Sequence, residues 1–149
     1  MAEEAFVVWE DRYAIGIPIV DEQHKELLKL TNDLYQACRQ GDEKARERFK
    51  DAIRSTVDYV KFHFSAEEKI IEGVRYPKIA AHKQEHAGFV REVLEEVKKF
   101  ESGKTFVPNA FVRFLRDWIL THIAVSDKEY AEYILRLKKE GNLNPGVGL

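Results

Sequence analysis

The chain has 149 residues, about the size of one domain, and its 44% hydrophobic and 34% charged residues are ordinary for a globular protein. The formal net charge is −2, so the composition gives no electrostatic reason to bind nucleic acid or an anionic membrane surface. No stretch approaches the roughly 20 apolar residues that a membrane span requires.

The predicted elements are four helices that follow an irregular N-terminal arm. The helical pattern stops at four glycines, which are typical of C-terminal caps: Gly41, Gly73, Gly103 and Gly141. We predict helices over 21–39, 42–71, 77–101 and 109–139, and Asp21 is the expected N-cap of the first. These elements predict a single all-α domain over 1–149, with an arm over 1–20, an up-down-up-down four-helix bundle over 21–139 and a tail over 140–149.

Each predicted helix carries one apolar stripe at helical spacing, and several polar residues lie on these stripes. All five histidines of the chain and one glutamate are among them: His24, His63, Glu67, His82, His86 and His122. The stripe of the fourth helix runs through Phe111, Leu115, Trp118, His122 and Val125.

The spacing of these polar residues favours a buried metal site. In HFSAE and HKQEH two candidate ligands stand four residues apart, so they lie about 40° apart on one helical face and can reach one ion. Burying a carboxylate costs several kcal/mol unless it is paired or bound to a metal, and no Arg or Lys shares the stripe with Glu67. Taken alone, His24 is better explained as a hydrogen-bonded core histidine.

Asp127 is the least regular candidate ligand. It stands five residues after His122, which rotates it by about 140° around a regular α-helix and off the stripe. It can join the site only if the helix is bulged there, as π-helical turns at functional sites are, or if its carboxylate reaches around to bridge two ions.

The number and type of ligands indicate two ions. Seven side chains exceed what one tetrahedral zinc ion takes, whereas two ions with two bridging carboxylates account for all of them. The set is richer in nitrogen and poorer in carboxylate than the Glu-rich sites of ferritin-like di-iron enzymes. We infer that it stabilises the ferrous state and favours reversible oxygen binding over oxygen activation.

The order of these residues resembles that of the hemerythrin family, in particular its single-domain prokaryotic members, the bacteriohemerythrins. The resemblance extends from about residue 9 to residue 133 and includes Trp9 and the segments GIPIVDEQH, HFSAEE, YPKIAAHKQEH and WILTHIAVSDKEY. It implies two iron ions, Fe2+ or Fe3+, joined by an oxo or hydroxo bridge. His82, His86 and His122 would hold one ion, His24 and His63 the other, and Glu67 and Asp127 would bridge both.

The resemblance also implies an oxygen pocket beside the ion that has only two histidines. Its residues would be Leu27, Phe64, Trp118, Ile119 and Ile123. They would keep water and protons away from bound dioxygen. Taken singly, each of these side chains could equally be an ordinary core residue.

The expected function is reversible dioxygen binding for oxygen transport, storage or delivery, by a protein that is not an enzyme. The alternatives are sensing of oxygen, redox state or nitric oxide through the same site, and oxidase or ferroxidase chemistry. The cytoplasm is the default location, because Cys38 is the only cysteine and the acidic N-terminus lacks the basic region of a secretory signal. A monomer is the default because the sequence shows no obvious exposed apolar patch. Delivery would require an oxygen-consuming protein as partner, which the sequence does not identify.

Overall fold

Four helical rods form the framework of the protein. The computed structural model describes residues 5–39, 43–103 and 107–143, and for residues 43–45 it describes the backbone only. Helix α1 spans Pro18–Cys38, α2 spans Glu43–Gly73 and α3 spans Ile79–Ser102. The fourth rod begins with α4, Pro108–His122, continues through a π-helical turn, Ile123–Asp127, and ends with α5, Lys128–Lys139.

The rods pack as the all-α four-helix bundle that the sequence predicts. Helix α1 lies against α2 and α4, and α2 lies against α3. The connections between successive rods are only a few residues long, which places sequence neighbours side by side and antiparallel. Within the described ranges, no helix combines the length and the apolar character needed to cross a membrane.

The start of α1 differs from the prediction. Pro18 occupies the first helical position, where its missing N–H is no loss, and Ile17 is the N-cap. Asp21 is therefore not the N-cap but lies inside the first turn. Its carboxylate accepts hydrogen bonds from the backbone N–H groups of Ile15, at 2.8 Å, and Gly16, at 3.3 Å. This contact fixes the direction in which the arm enters the helix.

The N-terminal arm covers the bundle. Val7, Tyr13, Ile15 and Ile17 are buried and belong to the same hydrophobic core as the helices. The Val7 N–H donates a hydrogen bond to Oδ1 of Asn32 at 2.9 Å, and Nδ2 of Asn32 donates to the Val7 carbonyl at 2.7 Å. The arm is thus fastened along α1, the helix that carries His24.

Three of the glycines expected at helix ends lie at or next to those ends. Gly103 caps α3 in the left-handed region, with φ +73°, and Gly141 follows α5 with φ +72°. Gly73 is the last residue of α2, where Arg75 takes the left-handed conformation instead. Gly41 lies outside the described residues, as do the ends of the predicted arm and tail, residues 1–4 and 144–149.

The π-helical turn changes which residues of the fourth rod face the core. Val125 was expected on the buried stripe, but it is 60% exposed. Ile123 and Asp127 are buried instead. The prediction for Val125 is wrong because it assumed a regular α-helical register, whereas the wider turn accommodates one additional residue before the core-facing side is reached again.

Candidate metal centre

All seven predicted ligands meet in the middle of the bundle. None is more than 6% exposed, and their donor atoms form two groups in which every donor lies within 4.8 Å of the others. The three-histidine group consists of His82, His86 and His122 together with Glu67 and Asp127. The two-histidine group consists of His24 and His63 together with the same two carboxylates. Each group is able to hold one metal ion.

Glu67 offers one carboxylate oxygen to each group. Its Oε1 lies 2.6 Å from Nε2 of His82 and 3.1 Å from Nε2 of His86. Its Oε2 lies 3.3 Å from Nε2 of His63 and 3.7 Å from Nε2 of His24. A carboxylate divided in this way has the geometry of a bridge between two ions.

Asp127 is divided in the same way. Its Oδ1 lies 3.1 Å from Nε2 of His122 and 3.3 Å from Nε2 of His82. Its Oδ2 lies 3.0 Å from Nε2 of His24 on the other side. Asp127 is the last residue of the π-helical turn, and that turn carries it back to the face of His122 across the five-residue spacing.

Several buried donor and acceptor atoms in this centre have no hydrogen bond. They are both ring nitrogens of His24 and both carboxylate oxygens of Asp127. His24 Nε2 and Asp127 Oδ2 lie only 3.0 Å apart, yet they do not have the directionality of a hydrogen bond, as expected of atoms that point at a common position between them. Unpaired buried polar atoms cost several kcal/mol, and metal ligation removes that cost at the Nε2 and carboxylate atoms. The residues therefore fit a metal centre.

Two histidines have their outward nitrogens fixed by a residue from the preceding helix. Nδ1–H of His63 donates to Oε1 of Gln23 in α1 at 2.7 Å. Nδ1–H of His86 donates to Oε2 of Glu68 in α2 at 2.9 Å. Each hydrogen bond sets the tautomer that leaves the Nε2 lone pair pointing into the centre, ready for a metal ion.

His122 is supported in the same manner from α3. Its Nδ1–H donates to Oε2 of Glu85 at 2.9 Å, and the hydroxyl of Ser126 donates to the same oxygen at 2.6 Å. The roles of Gln23, Glu68 and Glu85 were not predicted from the sequence. Each stands next to a ligand in the sequence, but that adjacency is no signal, because neighbours on a helix point about 100° apart.

The charges of the centre are balanced by imidazoles when no metal is bound. Burial alone would raise the pKa of both carboxyl groups, yet the surrounding histidines hold the pKa of Glu67 well below its usual value and lower that of Asp127 to about 2. Burial alone would likewise lower the pKa of His24, His82 and His122. The contacts with the two carboxylates outweigh it and raise the pKa of these histidines to about 9, about 9 and about 10.

Tyr130 supports the carboxylate of Glu67 with a hydrogen bond. Its hydroxyl donates a hydrogen bond to Oε2 of Glu67 at 3.2 Å, and the side chain is fully buried. Burial and the nearby carboxylates raise the pKa of Tyr130 well above its usual value, so the phenol keeps its proton and remains a donor.

A small cavity of about 10 Å³ lies beside the two-histidine group, which is about the smallest space that admits one water-sized molecule. All five predicted pocket residues line it, and Val60 and Phe89 line it as well. Aromatic rings pack on the ligands next to this cavity: Phe64 stacks on His86 with ring centroids 3.7 Å apart, and Trp118 stacks on His122 at 4.5 Å. Val60 and Phe89 were missed because nothing separates a pocket wall from ordinary core in a sequence.

The chain is similar to known proteins in sequence and in fold. Residues 15–134 match the Hemerythrin HHE cation binding domain. The chain is 32% identical over 130 residues to a bacteriohemerythrin of Stenotrophomonas maltophilia, covering 87% of this chain and 82% of the relative. It is also 32% identical over 127 residues to a bacteriohemerythrin of Methylococcus capsulatus, covering 85% and 95%. The crystal structure of a wild-type hemerythrin superimposes with a TM-score of 0.80 at 31% identity, covering 86% of this chain and 97% of that one.

Metal uptake should release protons. Because the pKa of His24, His82 and His122 is raised to about 9, about 9 and about 10, all three are protonated in the metal-free protein at about pH 7.5 and must lose their protons to become ligands. We expect close to three protons per chain when Fe2+ is added anaerobically in weak buffer with a pH-indicator dye. Release of less than one proton would contradict this charge assignment.

The same pKa shifts give the metal-free protein a distinctive pH dependence. A histidine whose pKa is raised by folding stabilises the folded state fully below its ordinary pKa of 6.5, and this contribution is lost as the pH rises through 9 to 10. Urea denaturation of the metal-free protein should therefore show a free energy of unfolding that falls over this range. The metal-loaded protein, whose histidines carry no such protons, should not show this fall.

Removing the charge behind His122 should weaken metal binding. In Glu85→Gln the amide oxygen can still accept a hydrogen bond from Nδ1–H of His122. Without the negative charge the imidazole is less basic and its Nε2 binds a metal ion less strongly, and such changes cost about 10–100-fold in metal affinity. Competition between the protein and a chelator for Co2+ measures the change. Glu92→Gln, an exposed position on the same helix, is the matched control and should bind Co2+ as the unsubstituted protein does.

Proposed function

Because the chain belongs to the hemerythrin family, we propose that it binds dioxygen reversibly at a non-heme di-iron centre and serves as an oxygen carrier, for storage or delivery, rather than as an enzyme. The observation that carries the proposal is the position of the two carboxylates, because Glu67 and Asp127 each direct one oxygen towards the three-histidine group and the other towards the two-histidine group. Five imidazoles and two shared carboxylates leave the two metal positions unequal, so one of them has a coordination position to spare for a small ligand.

In this proposal each ligand keeps the role that its position suggests. His82, His86 and His122 would hold one iron ion, His24 and His63 would hold the other, and Glu67 and Asp127 would be shared between the two ions, together with an oxo or hydroxo group. When bound, the ferrous pair supplies the two electrons that dioxygen takes up on binding and returns on release.

The walls of the cavity favour a carrier over an oxidase. Apart from the ligands, its lining residues are Leu27, Val60, Phe64, Phe89, Trp118, Ile119 and Ile123. None of these side chains has an acidic proton to donate to reduced oxygen. An apolar cavity of about 10 Å³ has little room for water beside a bound diatomic molecule, so the return of intact dioxygen is favoured over its release as peroxide.

We also propose a cytoplasmic monomer. Cys38, the only cysteine in the chain, is half-buried, and burial raises the pKa of its thiol to about 11, so it suits a compartment in which thiols stay reduced. The large hydrophobic side chains that are exposed, such as Ile19, Phe62 and Leu135, are distributed over different helices.

The decisive experiment is a cycle of oxygenation and deoxygenation. The iron-loaded protein, reduced anaerobically, should develop a visible absorption band when oxygen is added and lose it again when oxygen is removed. His82→Ala should no longer bind two iron ions, because it removes a ligand from the group that has three. Gln84→Ala, an exposed neighbour, should retain both ions. A single irreversible colour change, or full iron content in His82→Ala, would overturn the proposal.

The pocket walls should protect the ferrous state. Ile119→Ala and Ile134→Ala remove the same atoms from positions that are 3% and 2% exposed, and each should cost about 2–5 kcal/mol of stability. Only Ile119 lines the cavity. We therefore expect several-fold faster conversion to the ferric form in air for Ile119→Ala alone, followed by absorption spectroscopy. Equal rates in the two variants would show that the cavity does not control water access.

A further inference from the structure

A long groove runs between α2 and α3 on the outside of the metal centre. Its volume is about 830 Å³, far larger than the cavity beside the two-histidine group. The floor is apolar where Phe64, Ala87, Val90 and Leu94 meet. Leu94 is one of several large hydrophobic side chains that are partly exposed, and at 43% exposure it adds apolar surface to this groove.

The rim of this groove is basic. Lys61 and Lys69 stand on the α2 side, and Lys83 and Arg91 stand on the α3 side. None of the four has an ion-pair partner in the described part of the chain. The acidic residues that line the groove are Glu68 and Glu72, and Glu68 already accepts a hydrogen bond from Nδ1–H of His86. The groove is therefore a basic patch on a protein whose formal net charge is −2.

The floor of the groove leads directly to a metal ligand. His86 and Phe64 both line it, and their rings are stacked with centroids 3.7 Å apart and planes inclined by only 2°. His86 Nε2 points into the three-histidine group, 3.1 Å from Oε1 of Glu67. A molecule lying in the groove would thus be separated from the centre by one or two aromatic side chains.

The groove on the other side of α3 has the opposite character. It reaches His122 and is lined by Glu85 and Glu92, with no Lys or Arg. The volume of this second groove is about 430 Å³. Glu85 already accepts hydrogen bonds from His122 and Ser126. Of the two grooves that reach a ligand of the three-histidine group, the basic one offers more unpaired charge and more apolar surface.

We propose that the basic groove docks an acidic electron-transfer protein that returns the ferric centre to its ferrous form, an inference that rests on the proposed di-iron function. The cavity has an apolar lining and a volume of only about 10 Å³, which leaves no room for a hydrophilic reductant, so His86 at the groove is the more accessible entry for electrons. The donor binds by charge complementarity and passes its electrons through Phe64 and His86. Two one-electron encounters convert two ferric ions into two ferrous ions, and a bridging oxide takes one proton from solvent to become hydroxide.

The test measures reduction of the ferric protein by fully reduced flavodoxin, an acidic one-electron donor, in anaerobic stopped-flow at low ionic strength. Lys61→Glu and Lys83→Glu reverse a charge on each side of the groove. Lys29→Glu makes the same change in net charge on α1, away from the groove. We expect the second-order rate constant to fall on the order of tenfold for each groove variant and little for Lys29→Glu, and the effect should fade as salt is added.

A second reductant separates this inference from the proposed function. Uncharged lumiflavin semiquinone should reduce all the variants at the same rate, because it does not depend on the basic rim. If every variant binds two iron ions and reacts with lumiflavin, but flavodoxin reduces the groove variants no more slowly than Lys29→Glu, the docking proposal is wrong and the oxygen-binding proposal stands. If the protein does not bind two iron ions, both fall together.

Discussion

Two ionised carboxylates at the centre of a four-helix bundle are the constraint on which the rest of the structure depends. Glu67 and Asp127 are both 0% exposed, and burying such groups costs several kcal/mol each unless opposite charge lies next to them. The chain meets this cost with five imidazoles rather than with Lys or Arg. His24, His82 and His122 carry protons when the centre is empty and give them up when metal ions arrive, so the imidazoles balance the carboxylates in the empty centre and the ions would balance them in the loaded one.

The centre is built by all four rods in a relay. Gln23 of α1 positions His63 of α2. Glu68 of α2 positions His86 of α3, and Glu85 of α3 positions His122 of α4. A slip of any one helix by a residue would therefore disturb a ligand and the support of the next ligand together. This coupling also explains why the arm matters, since it fixes the register of α1 through Asp21 and Asn32.

The parts of the site that follow helical periodicity could be read from the sequence, and the parts that depend on contacts between helices could not. The geometry of HFSAE and HKQEH is predictable because four residues make slightly more than one helical turn. Asp127 needed a π-helical turn, which a spacing of five can suggest but not establish, and the same turn moved Val125 to the surface. Gln23, Glu68 and Glu85 act on ligands of other helices, so their roles depend on packing that one helix alone does not encode.

Oxygen access and electron access make opposite demands on the same wall. Under the proposed function the cavity must admit a diatomic molecule and keep water and protons away from it. An apolar wall that does so is also unfavourable to the polar reductants that would return an oxidised centre to the ferrous form. Phe64 contributes to both surfaces, since it lines the cavity and also the floor of the basic groove. Its ring can close the cavity to water while its stacked contact with His86 still connects the centre to the surface. In the proposed oxygen carrier, Phe64 therefore serves both as a wall of the cavity and as the contact between the centre and the basic groove.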